Sequence, residues 1–246
     1  MDTNYKIALL IDCDNVSYQS IEGVLQELAK FGAVNVRHAH GNWHGPQLGG
    51  WIDKLHANAI RPVQQFAYTS GKNATDASMI IDAMDLLYSG NVNAFALMTS
   101  DSDFTPLVMR ILETGLPVFG FGERKTPAPF VNACSQFIYT ENLREDVEEP
   151  DNASNDDNTK PTEKTKWDRK QLRGDSVLVR TLRTAADQTA DDDGWAHLGR
   201  VGQYISNNSS FSPVNYGYKK LSDLIRATEL FELTVRDKNA LYIKSP

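Results

Sequence analysis

The chain has few cysteines, no long hydrophobic segment and no excess of positive charge. Its 246 residues include only Cys13 and Cys134, which lie in apolar patterns and are expected to be reduced core residues. No apolar run approaches the roughly 20 residues that span a bilayer, and the N-terminus lacks the basic and apolar regions of a signal peptide. These absences argue against a disulfide scaffold and predict a cytoplasmic protein without a membrane segment.

The formal net charge of −7 is distributed unevenly along the chain. Residues 1–144 carry 10 basic and 14 acidic side chains, residues 145–165 carry 2 and 8, and residues 166–246 carry 13 and 10. The C-terminal part is therefore mildly basic, whereas the rest is acidic. Nonspecific coating of duplex nucleic acid is not expected, because it needs clustered lysine and arginine side chains.

The first part of the sequence alternates apolar strands with amphipathic helices. Residues 7–11 are continuously apolar, as expected of a strand covered on both faces. Further strands are predicted near 34–39, 60–66, 94–98, 117–121 and 136–139, and helices near 21–28, 51–56, 74–88, 104–113 and 129–133. This alternation predicts an α/β domain, residues 1–144, with a parallel sheet and right-handed crossovers.

A second, smaller domain is predicted after a polar segment. Residues 145–166 have no periodicity and bury too little apolar area to offset their ordering entropy, which predicts a flexible acidic linker. Helical spacing returns near 177–185, 195–205 and 216–227, and alternating segments at 230–235 and 240–244 predict a β-hairpin. Residues 167–246 are therefore predicted to form a small α+β winged-helix domain.

Aspartates follow two of the predicted strands. Asp12 and Asp14 come directly after the first strand, Asp101 and Asp103 follow the fourth, and Asp76 lies in the first turn of a helix. Ligands of an open parallel sheet bind at the carboxyl ends of its strands, and the first and fourth strands of a doubly wound sheet are neighbours. These carboxylates are therefore expected to share one cleft.

Carboxylates that share a cleft repel each other unless a cation compensates them. Oxygen-only ligands favour Mg²⁺ or Mn²⁺, which polarise phosphoryl oxygens and lower the pKa of bound water. The pattern thus predicts in-line hydrolysis of a phosphodiester. The simpler alternative is that each aspartate caps a helix, which suits Asp76 and Asp103 individually. Their convergence on one edge of the sheet favours the metal site.

Three segments, residues 12–15, 72–82 and 100–106, resemble the NYN domains, the LabA-like branch of the PIN-like nucleases. The resemblance covers about residues 5–142. It implies a PIN-like Rossmannoid sheet with helices on both faces and Mg²⁺- or Mn²⁺-dependent cleavage of RNA. The residues that it implies as catalytic and metal-holding are Asp12, Asp76, Asp101 and Asp103. Those that it implies as supporting are Asp14, Asn15, Lys72 and Ser100, whereas Asp82 is expected to be structural.

The first motif has a second interpretation. Asp12 and Asp14 also satisfy the opening motif of haloacid-dehalogenase-like phosphatases, in which the first aspartate is the nucleophile. That family needs a helix-borne lysine just ahead of a final acidic pair, but Lys72 precedes the fourth strand. The phosphatase is therefore the weaker alternative.

Several residues near the predicted cleft are candidates for binding. His38, His40 and His44 are close in sequence, but no cysteine or acid stands at ligand spacing beside them, so a loop is favoured over a zinc site. Trp43 and His44 are candidates to stack an unpaired RNA base. The candidates for phosphate contact are Lys72, Arg110, Arg124 and Lys125, with solvated surface charge the equal alternative for the last three.

The C-terminal part resembles the OST-HTH/LOTUS domain over about residues 174–244, most distinctively at 216–221. The resemblance implies a winged helix that binds RNA or a protein partner. Tyr216 and Tyr218 are candidates for base stacking, and Lys219 and Lys220 for contact with RNA, the alternative being that both lysines are simply solvated.

These patterns together predict a metal-dependent endoribonuclease whose winged helix raises the local concentration of RNA at the cleft. The alternative from another class is an RNA-binding or scaffold protein in which the first domain binds metal and RNA without turnover.

Overall fold

The computed structural model describes residues 4–44, 46–65, 74–144, 166–236 and 240–246. These residues form two compact units, one on either side of residues 145–165. The predicted linker thus lies outside the described residues, except for Lys166. Within the described ranges, every helix is too short or too polar to cross a membrane.

The first unit contains a six-stranded parallel sheet. Its strands are β1 (Tyr5–Asp12), β2 (Gly32–Gly41), β3 (Arg61–Gln64), β4 (Ala94–Met98), β5 (Val118–Gly122) and β6 (Gln136–Tyr139). They are ordered β3-β2-β1-β4-β5-β6, and every neighbouring pair is parallel. The predicted doubly wound sheet is confirmed, including the pairing of the first and fourth strands at the switch point.

Helices cover the sheet. They are α1 (Ile21–Leu28), α2 (Gly49–Ala57), α3 (Ala74–Ser89), α4 (Thr105–Leu112) and α5 (Ala128–Ala133). Residues 7–11 of β1 are fully buried, so both faces of this strand are covered, as their continuous apolar run predicts. Leu10 lies in one core with Met79 of α3 and Val108 of α4. Leu9 points to the opposite face, because successive side chains of a strand alternate.

The register of the central strands determines which polar side chains lie side by side. Asp12 of β1 is paired with His40 of β2, and Leu10 is paired with His38. Paired residues of parallel strands point to the same face of the sheet. Asp12, His38 and His40 therefore lie on the face that α3 covers, and Ser78 of α3 reaches His40 there.

Among its described residues, the second unit combines four α-helices with a three-stranded antiparallel sheet ordered β7-β9-β8. Its elements are α6 (Arg169–Gly174), α7 (Ser176–Thr189), β7 (Ala196–His197), α8 (Leu198–Asn208), α9 (Leu221–Thr228), β8 (Glu232–Arg236) and β9 (Ala240–Lys244). The predicted small winged helix with a terminal hairpin agrees with this arrangement.

Two helix boundaries in the second unit differ from the prediction. The sequence pattern predicts a third helix from residue 216, but Pro213–Tyr216 forms a 3-10 turn that ends at Gly217 with φ +81°, so α9 begins only at Leu221. Glycine adopts this left-handed conformation at no steric cost. The sequence pattern also places Trp195 inside the second helix, but Trp195 precedes β7, and α8 begins at Leu198. The prediction also omitted α6.

Candidate metal centre

Five acidic side chains interact at the carboxyl end of the sheet. Asp12 is the last residue of β1, and Asp101 and Asp103 follow β4, the strand that pairs with β1. Asp76 lies in the first turn of α3, and Asp14 follows β1. These five residues are named the acidic cluster below.

Asp12 is fully buried at the centre of the cluster. Its Oδ2 accepts hydrogen bonds from Asn15 Nδ2 and from Thr99 Oγ1, both at 2.8 Å. Its Oδ1 is also buried, and no described residue donates a hydrogen bond to it. Burial raises the pKa of Asp12, the charges of Asp14 and Asp101 raise it further, and the two hydrogen bonds oppose this rise. A buried carboxylate oxygen normally needs a hydrogen-bond donor or a cation, and no described residue supplies a donor to Asp12 Oδ1.

Asp101 is positioned by the turn that follows β4. Its Oδ1 accepts a hydrogen bond from the backbone N–H of Asp103 at 2.8 Å and caps the 3-10 helix Ser102–Phe104. Its own N–H donates to Thr99 Oγ1 at 3.1 Å. The capping interpretation that the sequence suggested for Asp103 thus applies to Asp101, whereas Asp103 is an exposed residue inside the turn.

Asp76 shows that the acidic side chains interact across elements. Burial raises its pKa to about 6, and the charges of the other four members of the cluster contribute to the rise. The neighbouring Thr75 donates its hydroxyl to Asp14 Oδ2 at 3.0 Å, which joins the start of α3 to the loop after β1. The structure therefore brings these aspartates close enough for their charges to interact with Asp76.

The acidic cluster has the chemistry of a site for an oxygen-coordinated divalent cation. A bound cation compensates a buried carboxylate oxygen to which no described residue donates, and it compensates neighbouring charges that raise the pKa of Asp12 and of Asp76. All of the side chains offer oxygen, which suits hard cations such as Mg²⁺ and Mn²⁺. The donor chemistry of the cluster therefore suits a divalent metal.

The supporting residues have different surroundings. Asn15 orients Asp12 through the hydrogen bond already described. Ser100 Oγ accepts a hydrogen bond from the N–H of Glu123 at 2.9 Å, which ties the loop after β4 to the loop after β5. Lys72 lies outside the described residues.

Four of the first-unit candidates for RNA contact occupy loops at the same edge of the sheet, whereas Arg110 lies on α4. Trp43, just after β2, donates its ring Nε1–H to the carbonyl of Val63 at 3.0 Å, and the neighbouring His44 is exposed.

Arg124 is exposed, and its guanidinium lies over the ring of Tyr139 at 5.5 Å from the centroid. The next residue, Lys125, is also exposed and forms an ion pair of 2.9 Å with Glu123. Arg110 is engaged with Tyr88 and Glu113 on the helices.

The candidates in the second unit fall into two groups. Lys219 and Lys220 are exposed just before α9. Tyr218, in contrast, belongs to the core, and its hydroxyl donates to the carbonyl of Trp167 at 2.8 Å. Tyr216 packs edge-on against Trp167 and stacks on Phe211. These contacts argue against the predicted stacking of RNA bases on the two tyrosines, because both rings already serve the internal packing of the unit.

Two features of the site were missed in the sequence. Thr99 contacts both Asp12 and Asp101, but a threonine before a serine has no distinctive signature. The prediction that no acid accompanies the histidines is wrong. Asp82, which is distant in sequence, lies on α3 and contacts both His38 and His40. One signal in the sequence could have indicated this contact. His38 and His40 are two residues apart on a predicted strand, so they share a face, and a helix is predicted to cover the sheet.

A doubly wound parallel sheet with clustered carboxylates at its switch point defines a class of α/β proteins that bind ligands at the carboxyl ends of their strands. Comparison with known families is more specific. Residues 6–143 match the model of the NYN domain, and residues 170–243 match the OST-HTH/LOTUS domain. The chain belongs to the NYN domain family and carries an OST-HTH/LOTUS domain after it. The NYN match favours the nuclease interpretation of the first motif over the phosphatase one.

The chain is also similar to individual proteins. It is 27% identical over 122 residues to an uncharacterized protein of Methanocaldococcus jannaschii, a match that covers 48% of each chain. The chain thus spans about half the length of this curated relative. A crystal structure of a protein of unknown function from Vibrio parahaemolyticus is 21% identical, with a TM-score of 0.46, over 56% of this chain and 94% of that one. A solution structure of an uncharacterized protein from Nitrosomonas europaea is 31% identical, with a TM-score of 0.26, over 41% of this chain and 92% of that one.

Proposed function

We propose that this protein is a metal-dependent endoribonuclease whose reaction centre is the acidic cluster. The observation that supports the proposal most directly is the buried Oδ1 of Asp12, to which no described residue donates, among four further carboxylates. Membership of the NYN family, which belongs to the PIN-like nuclease superfamily, agrees with this chemistry.

In this proposal the metal-holding residues are Asp12, Asp76, Asp101 and Asp103, and the ion is Mg²⁺ or Mn²⁺. A bound ion of this kind supplies polarisation of a phosphoryl oxygen and a bound water of lowered pKa. The protein contributes fixed ligands: Asn15 and Thr99 hold Asp12, and Thr99 also holds the backbone of Asp101. Preorganisation of this kind avoids the cost of arranging the carboxylates during the reaction.

RNA would approach along the edge of the sheet where the loops after β1, β2, β4 and β5 meet. Arg124 and Lys125 are exposed cations in the loop after β5, and His44 is exposed after β2. The mildly basic second unit, with exposed Lys219 and Lys220, supports a role in recruiting single-stranded or structured RNA. A protein partner of this unit is the alternative outcome of a binding experiment, and we propose a cytoplasmic location.

The test is cleavage of a circular RNA by the full chain with Mg²⁺ or Mn²⁺, because only an endonuclease opens a circle. We expect Asp12→Asn and Asp101→Asn to lower the rate at least about 100-fold, since loss of an ion ligand removes several kcal/mol of transition-state stabilisation. Asp85→Asn is the matched control, because Asp85 is an exposed acid on α3, outside the acidic cluster.

The result also separates the enzyme from a scaffold. Cleavage that EDTA abolishes, and that only the cluster variants lose, supports the proposal. RNA binding without cleavage under any divalent ion contradicts it and favours the scaffold. Cleavage that is indifferent to EDTA and to both cluster variants identifies a contaminant and also contradicts it.

A further inference from the structure

Two histidines and an aspartate meet on the sheet face that α3 covers. His38 and His40 are two residues apart on β2, so their rings point to the same face. Asp82 of α3 places a single oxygen, Oδ2, at 2.7 Å from His38 Nδ1 and at 3.0 Å from His40 Nε2. These three residues are named the histidine cluster below. Their ligand atoms lie within 4.8 Å of one another, which is close enough to hold a metal ion.

The burial of the histidine cluster is graded. The side chain of His40 is fully buried, whereas those of His38 and Asp82 are 16% and 23% exposed. An ion could therefore reach the cluster from the side of His38 and Asp82, and it would be shielded from solvent on the side of His40. Such a site combines access with desolvation, which strengthens electrostatic interactions.

The charge of Asp82 is strongly favoured in these surroundings. Burial by itself raises the pKa of Asp82, but the hydrogen bonds from His38 and His40 outweigh burial and hold the pKa well below its ordinary value. These hydrogen bonds therefore favour the ionised carboxylate, which is the form that binds a metal.

We propose that His38 Nδ1, His40 Nε2 and a carboxylate oxygen of Asp82 form a second metal site, which takes a divalent transition-metal ion of the zinc type. Zinc binds imidazole nitrogen and carboxylate oxygen at about 2.0–2.2 Å, so tetrahedral ligand atoms lie about 3.4 Å from one another. The two nitrogen–oxygen distances of 2.7 and 3.0 Å need to open by about 0.7 and about 0.4 Å to fit this shell.

The surroundings of His40 supply the proton arrangement that such a site needs. An imidazole that binds a metal through Nε2 carries its proton on Nδ1, and a neighbouring oxygen usually accepts that proton. Ser78 Oγ lies 3.4 Å from His40 Nδ1, on the side of the ring away from Asp82. Binding of the ion then shifts the His40 proton from Nε2, where it faces Asp82, to Nδ1, where it faces Ser78.

The histidine cluster differs from the acidic cluster in the metal that it selects. Imidazole nitrogen favours borderline ions such as Zn²⁺ and Co²⁺, whereas the oxygen-only acidic cluster favours Mg²⁺ and Mn²⁺. A bound ion would link β2 to α3 about one and a half helical turns beyond Asp76. The ion would therefore have a structural role, because it would fix α3, the helix that carries Asp76 of the acidic cluster.

The test is a titration of the metal-stripped full chain with Co²⁺ while excess Mg²⁺ occupies the acidic cluster. Bound Co²⁺ should give one saturating set of visible absorption bands typical of nitrogen coordination, and Zn²⁺ should remove them. Because a change outside the first ligand shell already costs 10–100-fold in metal affinity, His38→Asn and Asp82→Asn should weaken binding at least about 100-fold. His56→Asn, an exposed histidine on α2, is the matched control and should bind as the wild type does.

The readout does not depend on ribonuclease activity, so its failure is distinct from failure of the proposed function. Unchanged cobalt spectra in His38→Asn and Asp82→Asn overturn the proposal, as does the absence of saturable binding to the wild type. If either variant misfolds, imidazole NMR of the wild type decides instead. Zinc should then shift the ring resonances of His38 and His40, and shifts confined to other histidines overturn the site.

Discussion

Thr99 donates its hydroxyl to Asp12 Oδ2 at 2.8 Å, from the loop after β4 to the end of β1. The same hydroxyl oxygen accepts the backbone N–H of Asp101 at 3.1 Å. One fully buried side chain thereby fixes two members of the acidic cluster that are far apart in sequence. The two strands pair directly at the switch point, so this contact forms where the sheet opens for a ligand.

Replacement of Thr99 with valine tests the importance of this hydroxyl. Thr99→Val keeps the shape of the side chain but leaves Asp12 Oδ2 with only the Asn15 hydrogen bond. We expect a loss of about 1–3 kcal/mol in the free energy of unfolding, measured by urea denaturation, because a buried acceptor loses a donor. If the acidic cluster is the reaction centre, the cleavage rate should also fall.

Thr99→Ser is the matched control, since serine retains the hydroxyl. It should preserve the cleavage rate and recover part of the stability. A valine variant with wild-type stability and activity would show that Asp12 does not depend on Thr99.

The raised pKa of Asp76 predicts how the metal-free protein responds to pH. The folded pKa of about 6 exceeds the ordinary value of 3.8, so the folded state binds more protons than the unfolded state between these values. In EDTA, the contribution of Asp76 to stability should therefore decrease as pH rises from 3.8 through 6 and stay low above that.

Asp76→Asn removes this unfavourable charge. At neutral pH in EDTA we expect the variant to be more stable than the wild type by about 1 kcal/mol, once screening of this half-buried group is allowed for. The difference should shrink towards pH 4 and reverse with saturating Mn²⁺, because asparagine is a poorer ligand. A variant that is less stable in EDTA at neutral pH would contradict mutual repulsion in the cluster.

Much of the first unit could be predicted because its signals are local. Continuous apolar runs identify strands buried on both faces, and the order of a doubly wound sheet then brings the ends of β1 and β4 together. Side-chain partners across elements were not predictable in this way. The meeting of Asp82 with His38 depends on how α3 lies across β2, which helical periodicity alone does not determine.

The second unit gives a different lesson about sequence patterns. Tyr216 and Tyr218 precede two lysines, and this neighbourhood is typical of a nucleic-acid surface. Both rings nevertheless pack near Trp167, about fifty residues earlier in the chain, which no local pattern indicates. The local sequence identified the exposed lysines, but it did not indicate that both tyrosines pack inside the unit.

The two cysteines should be unreactive in the native protein. Cys13 and Cys134 are free and buried, as their apolar surroundings predict. Burial raises the pKa of Cys134 to about 12, and burial together with the charges of Asp12 and Asp14 raises that of Cys13. Because the thiolate is the reactive form, iodoacetamide at pH 8 should modify neither residue until urea unfolds the chain, as measured by mass spectrometry. Rapid modification of Cys13 under native conditions would show that the region beside Asp12 opens readily.

The exposed lysines of the second unit should contact RNA, and the buried tyrosine should not. Lys219→Ala combined with Lys220→Ala should weaken binding of single-stranded RNA and lower the slope of log affinity against log salt by about 1.4, if each lysine neutralises one phosphate. Tyr218→Phe loses the hydrogen bond to the carbonyl of Trp167, so it should cost about 1 kcal/mol of stability and leave RNA affinity unchanged.

Arg180→Ala combined with Arg183→Ala is the control for net charge, since both arginines are exposed on α7. Equal loss of affinity in the lysine and arginine pairs would mean that RNA responds to overall charge, and a loss in Tyr218→Phe alone would return the tyrosine to the binding surface.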